Sequence, residues 1–224
     1  MARGRTAGGK LDPEVIIDAA LRISDAENDL DGLTVRRLAA ELGVGTMTLY
    51  SYFRGKDEIL DAMADHVLGR MEMPPAAPDE DPATAMRIVA HSFLEMMRNH
   101  PSVLRLLATR VTTSTTSLRG AMEAVLERLC AAGIPGPLAV ECYGFLITYA
   151  IGFASYQSPR PWGRGDDPES AEERRQRLHF YCALPAPSFP RVTELAEHLI
   201  ELPSDKQFDF GLNAVIDAVV ARLR

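Results

Sequence analysis

The 224-residue sequence predicts an all-α chain in two parts, a small three-helix unit and a larger helical remainder. Three observations predict it. Apolar residues recur at three- and four-residue spacing along most of the chain, and strand-like alternation is absent. Two Asp-Pro pairs, at Asp12-Pro13 and Asp81-Pro82, give the start signal of a helix, a capping carboxylate before a proline in the first turn. The stretch 71–82, MEMPPAAPDEDP, is rich in proline and acid and separates the parts.

In chain order, Asp12-Pro13 opens a helix with Ile16, Ala19, Ala20 and Ile23 inward. Asp31-Gly32 is a turn. Thr34 caps a short helix whose stripe is Leu38, Ala39 and Leu42. Gly43 supplies the positive φ that ends it, and Val44 plugs the corner. A second short helix starts near Thr46 and buries Leu49 and Phe53, leaving Thr46, Met47, Thr48, Tyr50 and Tyr52 outward. Arg54-Gly55 breaks the chain, and Lys56 opens a helix to about Met71 with Ile59, Leu60, Met63 and Val67 inside.

Beyond the linker, residues 82–98 form a helix burying Val89, Phe93 and Met96 or Met97. Residues 101–111 follow, with Leu104 and Leu107 inside. The TTSTTS run at 112–117 is a loop or cap, and Leu118 to Ala132 is a helix turning Met122, Val125, Leu126 and Leu129 inward. Pro137 to Gln157 is a long apolar helix with Gly144, Thr148 and Gly152 every four residues, a stripe that admits another helix. Its Glu141, two glycines and hydroxyls argue for a buried helix over a membrane span. A loop at 158–170, a charged helix with Leu178, Tyr181 and Cys182 drier, a short segment near RVTELAEHLI, and a last helix with Phe208, Leu212, Val215, Val219 and Leu223 on one face complete the chain.

Composition bounds the chemistry. Hydrophobic content of 46% suits a soluble protein with a real core. The formal charge of −7 argues at first against a nucleic-acid partner, but its distribution reverses that. Residues 1–10 carry Arg3, Arg5 and Lys10 and no acid, and residues 35–56 carry Arg36, Arg37, Arg54 and Lys56 against Glu41 alone. Local charge decides phosphate binding, because salt screens beyond about 8–10 Å. Cys130, Cys142 and Cys182 lack metal or redox spacing and are expected to be buried thiols in a reducing cytoplasm. No secretory signal is read at the N-terminus, and the expected location is cytoplasmic. The histidines form no i, i+4 pair and no metal motif, and neither a nucleophile elbow nor a phosphate loop occurs, so no cofactor, metal or catalytic residue is expected.

A glycine corner between two short helices, with small and hydroxyl side chains opening the second, suits a helix-turn-helix. GVGTMTLYSYF followed by RGKDEILDAM resembles the tetracycline-repressor (TetR) family, and the likeness spans residues 12 to about 68. The Ala108-Thr109-Arg110 turn, the Ala131-Ala132-Gly133-Ile134 run, FPRVTELAEHL and FDFGLNAVIDAV resemble the branch nearest the tetracycline repressor itself.

That resemblance implies a basic arm at 1–10, a DNA-binding domain at 11–71 and a regulatory and dimerisation domain at 82–224. It implies a homodimer that binds a double-stranded operator and is released, as a repressor, by a small apolar or amphipathic effector. Thr34, Arg36, Thr46, Met47, Thr48, Tyr50, Tyr52 and Lys56 match DNA-contacting positions, Arg36 reaching either a base edge or a phosphate. Arg3 and Arg5 either enter a minor groove or stay a solvated tail. Val89, Phe93, Met97, Leu107, Thr109, Arg110, Met122, Leu126, Phe145, Tyr149 and Phe153 either line an effector pocket or are plain core. Leu106 stands where tetracycline-binding relatives carry a histidine, so a drier ligand without Mg²⁺ is expected. Two rivals remain: an all-α enzyme, and a dimeric scaffold blind to ligands.

Overall fold

The computed structural model describes residues 11–110, 114–160 and 168–224. Among them, every regular element is helical apart from an isolated bridge residue at Leu11. The expected arm at Arg3 and Arg5 and the loop around Trp162 lie outside the described residues.

The N-terminal helices are α1 (Pro13–Glu27), α2 (Val35–Leu42), α3 (Thr46–Tyr50) and α4 (Lys56–Gly69). Asp12 caps α1 by accepting from the Glu14 N–H at 3.0 Å. Thr34 caps α2 by accepting from the Arg37 N–H at 3.1 Å. Such caps are each worth about 1 kcal/mol. Gly43 ends α2 at φ 65°, a conformation that favours glycine. Ile16, Leu33, Leu38, Leu49 and Met63 are almost wholly buried and close a core shared by these four helices.

The remaining helices are α5 (Pro82–Asn99), α6 (Pro101–Thr109), α7 (Thr115–Ser117), a π-helical stretch (Leu118–Glu123), α8 (Ala124–Ala131), α9 (Gly136–Gln157), α10 (Pro168–Cys182), α11 (Pro190–Glu194), α12 (Ala196–Leu199) and α13 (Asp205–Arg222). α5 is the central mast and packs most extensively on α9, with α6, α8 and α13 around it. Asp81 caps it by accepting from the N–H groups of Ala83 and Thr84. The linker before α5 is fastened by a buried ion pair. Arg128 of α8 donates to both oxygens of Glu80, at 2.7 and 2.6 Å, and to the Pro74 carbonyl at 2.6 Å.

Several inward positions differ from the sequence reading. The stripe running from α7 into α8 is Ser117, Ala121, Val125 and Leu129, and Met122 is exposed. The π-helical turns, which bond five residues back instead of four, set this register. Small residues then face α4: a side chain on Gly120 would put its Cβ 2.6 Å from the Gly69 Cα. In α6, Leu104 is buried as expected, but Leu106 joins it instead of Leu107, which is half-buried. In α13, Ile216 joins Phe208, Leu212 and Val219, while Val215 and Leu223 are half-buried. Of the cysteines, Cys142 alone is buried, and burial pushes its thiol pKa up; Cys130 and Cys182 are exposed.

Candidate nucleic-acid interface and effector cavity

The helix-turn-helix presents one continuous polar tip. Leu49 and Phe53 anchor α3 below, at 1% and 8% exposure. Met47, at 77%, stands furthest out, with Thr48 and Tyr50 exposed beside it. Thr46 is half-buried at the corner. Tyr52 is half-buried against the core instead of facing fully outward, because Tyr52 and Phe53 both bond back to the Leu49 carbonyl and fold the chain end under α3.

The structure separates the two adjacent arginines of α2. Arg37 makes a two-pronged pair with Glu27 of α1, at 2.8 and 2.6 Å, and its hydrogen bonds hold the Glu27 carboxyl below the usual range. Arg36 is exposed and, among the described residues, pairs with no carboxylate, which leaves its charge available to a phosphate or a base. Thr34 is exposed at the start of the same helix, its hydroxyl already engaged as the cap. Lys56 stands at the start of α4 and donates to the Asp31 carbonyl at 3.2 Å, which holds the ammonium beside the turn before α2. Glu58 accepts from the Arg54 N–H and closes the turn between α3 and α4.

Among the described residues, those expected to line an effector pocket lie packed, half-buried or on the surface, and none of them lines the cavity of α5 described below. Val89, Phe93 and Met97 are fully packed between α5 and its neighbours. Phe145, Tyr149, Phe153 and Phe208 form one aromatic stack, with Tyr149 and Phe208 rings 5.0 Å apart and the Tyr149 hydroxyl donating to the Phe208 carbonyl at 3.0 Å. Leu107 and Leu126 are half-buried flanking residues. Thr109 is exposed and donates to the Arg105 carbonyl. Arg110 is spent on Asp57 and Asp61 of α4, at 2.8 and 2.6 Å. Met122 is on the surface. Close packing of aromatic and aliphatic side chains explains the result: helical spacing marks an inward face but not whether the space there is filled.

A cavity of about 910 Å³ lies on the other side of α5, between it, α1, α4 and the linker. Leu21, Val67, Met71, Met73, Ile88 and Met96 supply its apolar wall. Its polar lining includes His66, His91 and His100, each bonded to an aspartate. His66 meets Asp18 at 3.0 Å, His91 meets Asp209 at 2.9 Å and His100 meets Asp25 at 3.0 Å. These partners lie 48 to more than 100 positions apart in the chain, which is why spacing did not reveal them. Asp25 also accepts from the Ser102 N–H and hydroxyl, so α1 caps the start of α6.

A glycine-cornered tip with an exposed arginine beside it, carried on a larger helical body, defines a helix-turn-helix DNA-binding regulator. Two family models match the chain: "Bacterial regulatory proteins, tetR family" over residues 16–63, and "Tetracyclin repressor-like, C-terminal domain" over residues 74–223. Among curated relatives, the HTH-type transcriptional repressor DrrR1 of Streptomyces coeruleorubidus is 33% identical, over 91% of this chain and 75% of that protein. The tetracycline repressor class A from transposon 1721 in Escherichia coli is 27% identical, over 95% of this chain and 92% of that protein. Among solved structures, the Streptomyces coelicolor TetR family protein ActR in complex with actinorhodin matches with a TM-score of 0.75 at 32% identity, over 95% of this chain and 98% of that one. The chain belongs to the TetR family of transcriptional regulators.

Proposed function

We propose that this protein is a homodimeric repressor whose two α2–α3 tips read a pseudo-palindromic operator, and that a small ligand in the α4–α5 cavity releases it. The exposed tip carries the reading. Thr46, Met47 and Thr48 meet base edges, Met47 against a thymine methyl; Arg36 meets guanine or a phosphate; Thr34, Tyr50, Tyr52 and Lys56 hold the backbone. Half-sites are expected about 34–36 Å apart. Residues 11–71 serve as the reading domain and 82–224 as the regulatory one.

Two further observations support dimerisation and ligand control. The outer faces of α9 and α13 expose Val140, at 57%, and Phe210, at 79%, beside small residues, an apolar surface that a second copy covers better than water. α9 is also long and apolar enough to cross a membrane by length and composition, and its open face would be covered by the second copy. The cavity volume falls within the range of sites that hold drug-sized ligands. The packed aromatic stack would suit a ligand-blind scaffold; the cavity across α5 favours effector control.

Selection of bound duplexes from a random pool tests the DNA reading directly, with recovery of a two-fold-related motif expected and no enrichment overturning it. Lys56→Ala should then weaken every duplex alike and flatten the salt dependence by about one unit of slope per site. Arg36→Ala should lose discrimination at one base pair by about 1–3 kcal/mol if it reads guanine, and behave like Lys56→Ala if it holds a phosphate.

A further inference from the structure

The two-pronged pair between Arg37 and Glu27 lies at the edge of the DNA-reading tip, yet neither side chain is one of those proposed to meet the duplex. Thr34 and Arg37 stand one helical turn apart at the start of α2, and the Thr34 hydroxyl accepts the Arg37 N–H. Arg37 is therefore rooted beside a residue assigned to the DNA backbone, directly after Arg36. The first helix of a helix-turn-helix crosses the phosphates, so a long cation at this place is within reach of one. Its guanidinium is bonded instead back across the α1–α2 turn, where the two oxygens of Glu27 accept from it at 2.8 and 2.6 Å.

The α1–α2 turn is shaped around this pair. A side chain on Gly32 would put its Cβ 3.2 Å from the Glu27 carboxylate and 3.5 Å from the Arg37 guanidinium, so glycine leaves them room. Asp29, whose carboxylate accepts from the N–H groups of Asp31 and Gly32, lies 3.0 Å from the same point. The hydrogen bonds to Glu27 raise the Arg37 pKa, and the charges of Glu27, Glu41 and Asp29 add to the rise. The Arg37 charge is thus matched by acids of its own domain. The pair is still 41% and 48% exposed, so DNA could compete for it. Arg36, one residue earlier, pairs with no carboxylate among the described residues. Two adjacent arginines are in opposite states.

We propose that Glu27 attenuates sequence-independent affinity: it holds Arg37 off the DNA backbone, so that the start of α2 offers the duplex one arginine instead of two. This rests on reading the α2–α3 tip as the DNA interface. A phosphate approaching Arg37 has to displace Glu27 and meets its negative charge. The gain is selectivity. Phosphate contacts strengthen binding to every sequence alike, and a regulator has to find its site among a large excess of others. Holding Arg37 back lowers that background while the side chains of α3 keep their access to base edges.

The test is fluorescence-anisotropy titration of the full-length protein with a labelled duplex of arbitrary sequence, over a series of salt concentrations. Glu27→Gln removes the charge at nearly constant size. It is expected to bind roughly three- to tenfold more tightly than the parent at low salt, and to steepen the slope of log affinity against log salt by about 0.9 for each tip engaged. Adding Arg37→Met to Glu27→Gln, which leaves the site as neutral overall as the parent's pair, should return both quantities to the parent's values. A half-exposed pair contributes little to stability, so the variants should fold, and thermal melts check it. A Glu27→Gln protein with the parent's slope overturns the proposal. So does a gain that survives Arg37→Met, since it would come from lost repulsion and not from a released arginine. Lys56→Ala, measured alongside, separates this failure from failure of the interface. If Lys56→Ala flattens the slope while Glu27→Gln changes nothing, the interface stands and the role of Glu27 falls. If neither changes it, the tip is not the DNA interface and the proposal falls with it.

Discussion

Two glycine pairs, one at the α4 crossing and one along α9, occupy opposite situations. At Gly69 and Gly120 backbone meets backbone: an added Cβ on Gly120 would sit 2.6 Å from both the Cα and the carbonyl oxygen of Gly69. At Gly144 and Gly152 an added Cβ would meet nothing within 4 Å. The first pair brings α4, the helix that follows the DNA-reading tip, against the π-helical stretch of the same chain. The second faces outward beside Val140 on α9. Small residues in a helix permit close approach, but only the structure tells whether the approaching partner is within the chain. At the first pair it is; at the second we assign it to a second copy.

The largest expected effect lies on α8, which continues the π-helical stretch of the closed crossing. Arg128→Ala would strand Glu80 as an uncompensated charge, since both side chains are only 5% exposed. A loss of about 3–5 kcal/mol is expected in urea unfolding, because breaking one side of a buried pair costs more than replacing both. Arg128→Met with Glu80→Leu should recover most of it. If the single variant is as stable as the parent, the linker is not anchored there.

Gly120→Val should follow, costing about 1–3 kcal/mol, or a fall of several degrees in melting temperature, as the backbones are forced apart. Gly144→Val sharpens the contrast. In the isolated chain it meets open space and should leave the fold intact, while a second helix seated there would be pushed away. Together with Phe210→Arg it should convert dimer to monomer in analytical ultracentrifugation, with helix content kept. A Gly144→Val, Phe210→Arg protein that remains dimeric would place the interface elsewhere.

The same contrast explains how much the sequence disclosed. Asp12, Thr34, Gly43 and Asp81 act within a few residues of themselves, so their roles as caps and corner were legible, and with them the helix-turn-helix. The long helices were legible from periodicity. Met122 was misplaced because a π-helical turn breaks the spacing rule that put it inside. The cavity lies elsewhere than the expected pocket residues for a different reason: apolar spacing names Phe93, Phe145 and Tyr149 as inward without telling a filled interior from an empty one. The His–Asp pairs join helices far apart in the chain and carry no local signature, so the cavity they line was not readable at all. Small-residue spacing in α9 was visible, yet the close crossing at Gly69 and Gly120 was not, since neither glycine belongs to such a spaced run.

The smallest effect concerns the contact between α1 and α4, a short distance from the closed crossing. His66 is pressed against Asp18 with its side chain only 10% exposed, and burial, then Arg70, depress its pKa, outweighing the pull of Asp18 and Glu14. A depressed folded-state pKa means that the unfolded chain binds the proton more readily. Stability is then fully present above the unfolded histidine pKa of about 6.5 and falls as pH drops through that value toward the lower folded one. His66→Gln, which cannot take up a proton, should flatten this part of the pH profile. The check is urea unfolding of parent and variant at pH 7.5 and at pH 5.5. The parent's midpoint should fall by more than the variant's on acidification, and equal falls in the two proteins would show that the α1–α4 contact is insensitive to the charge on His66.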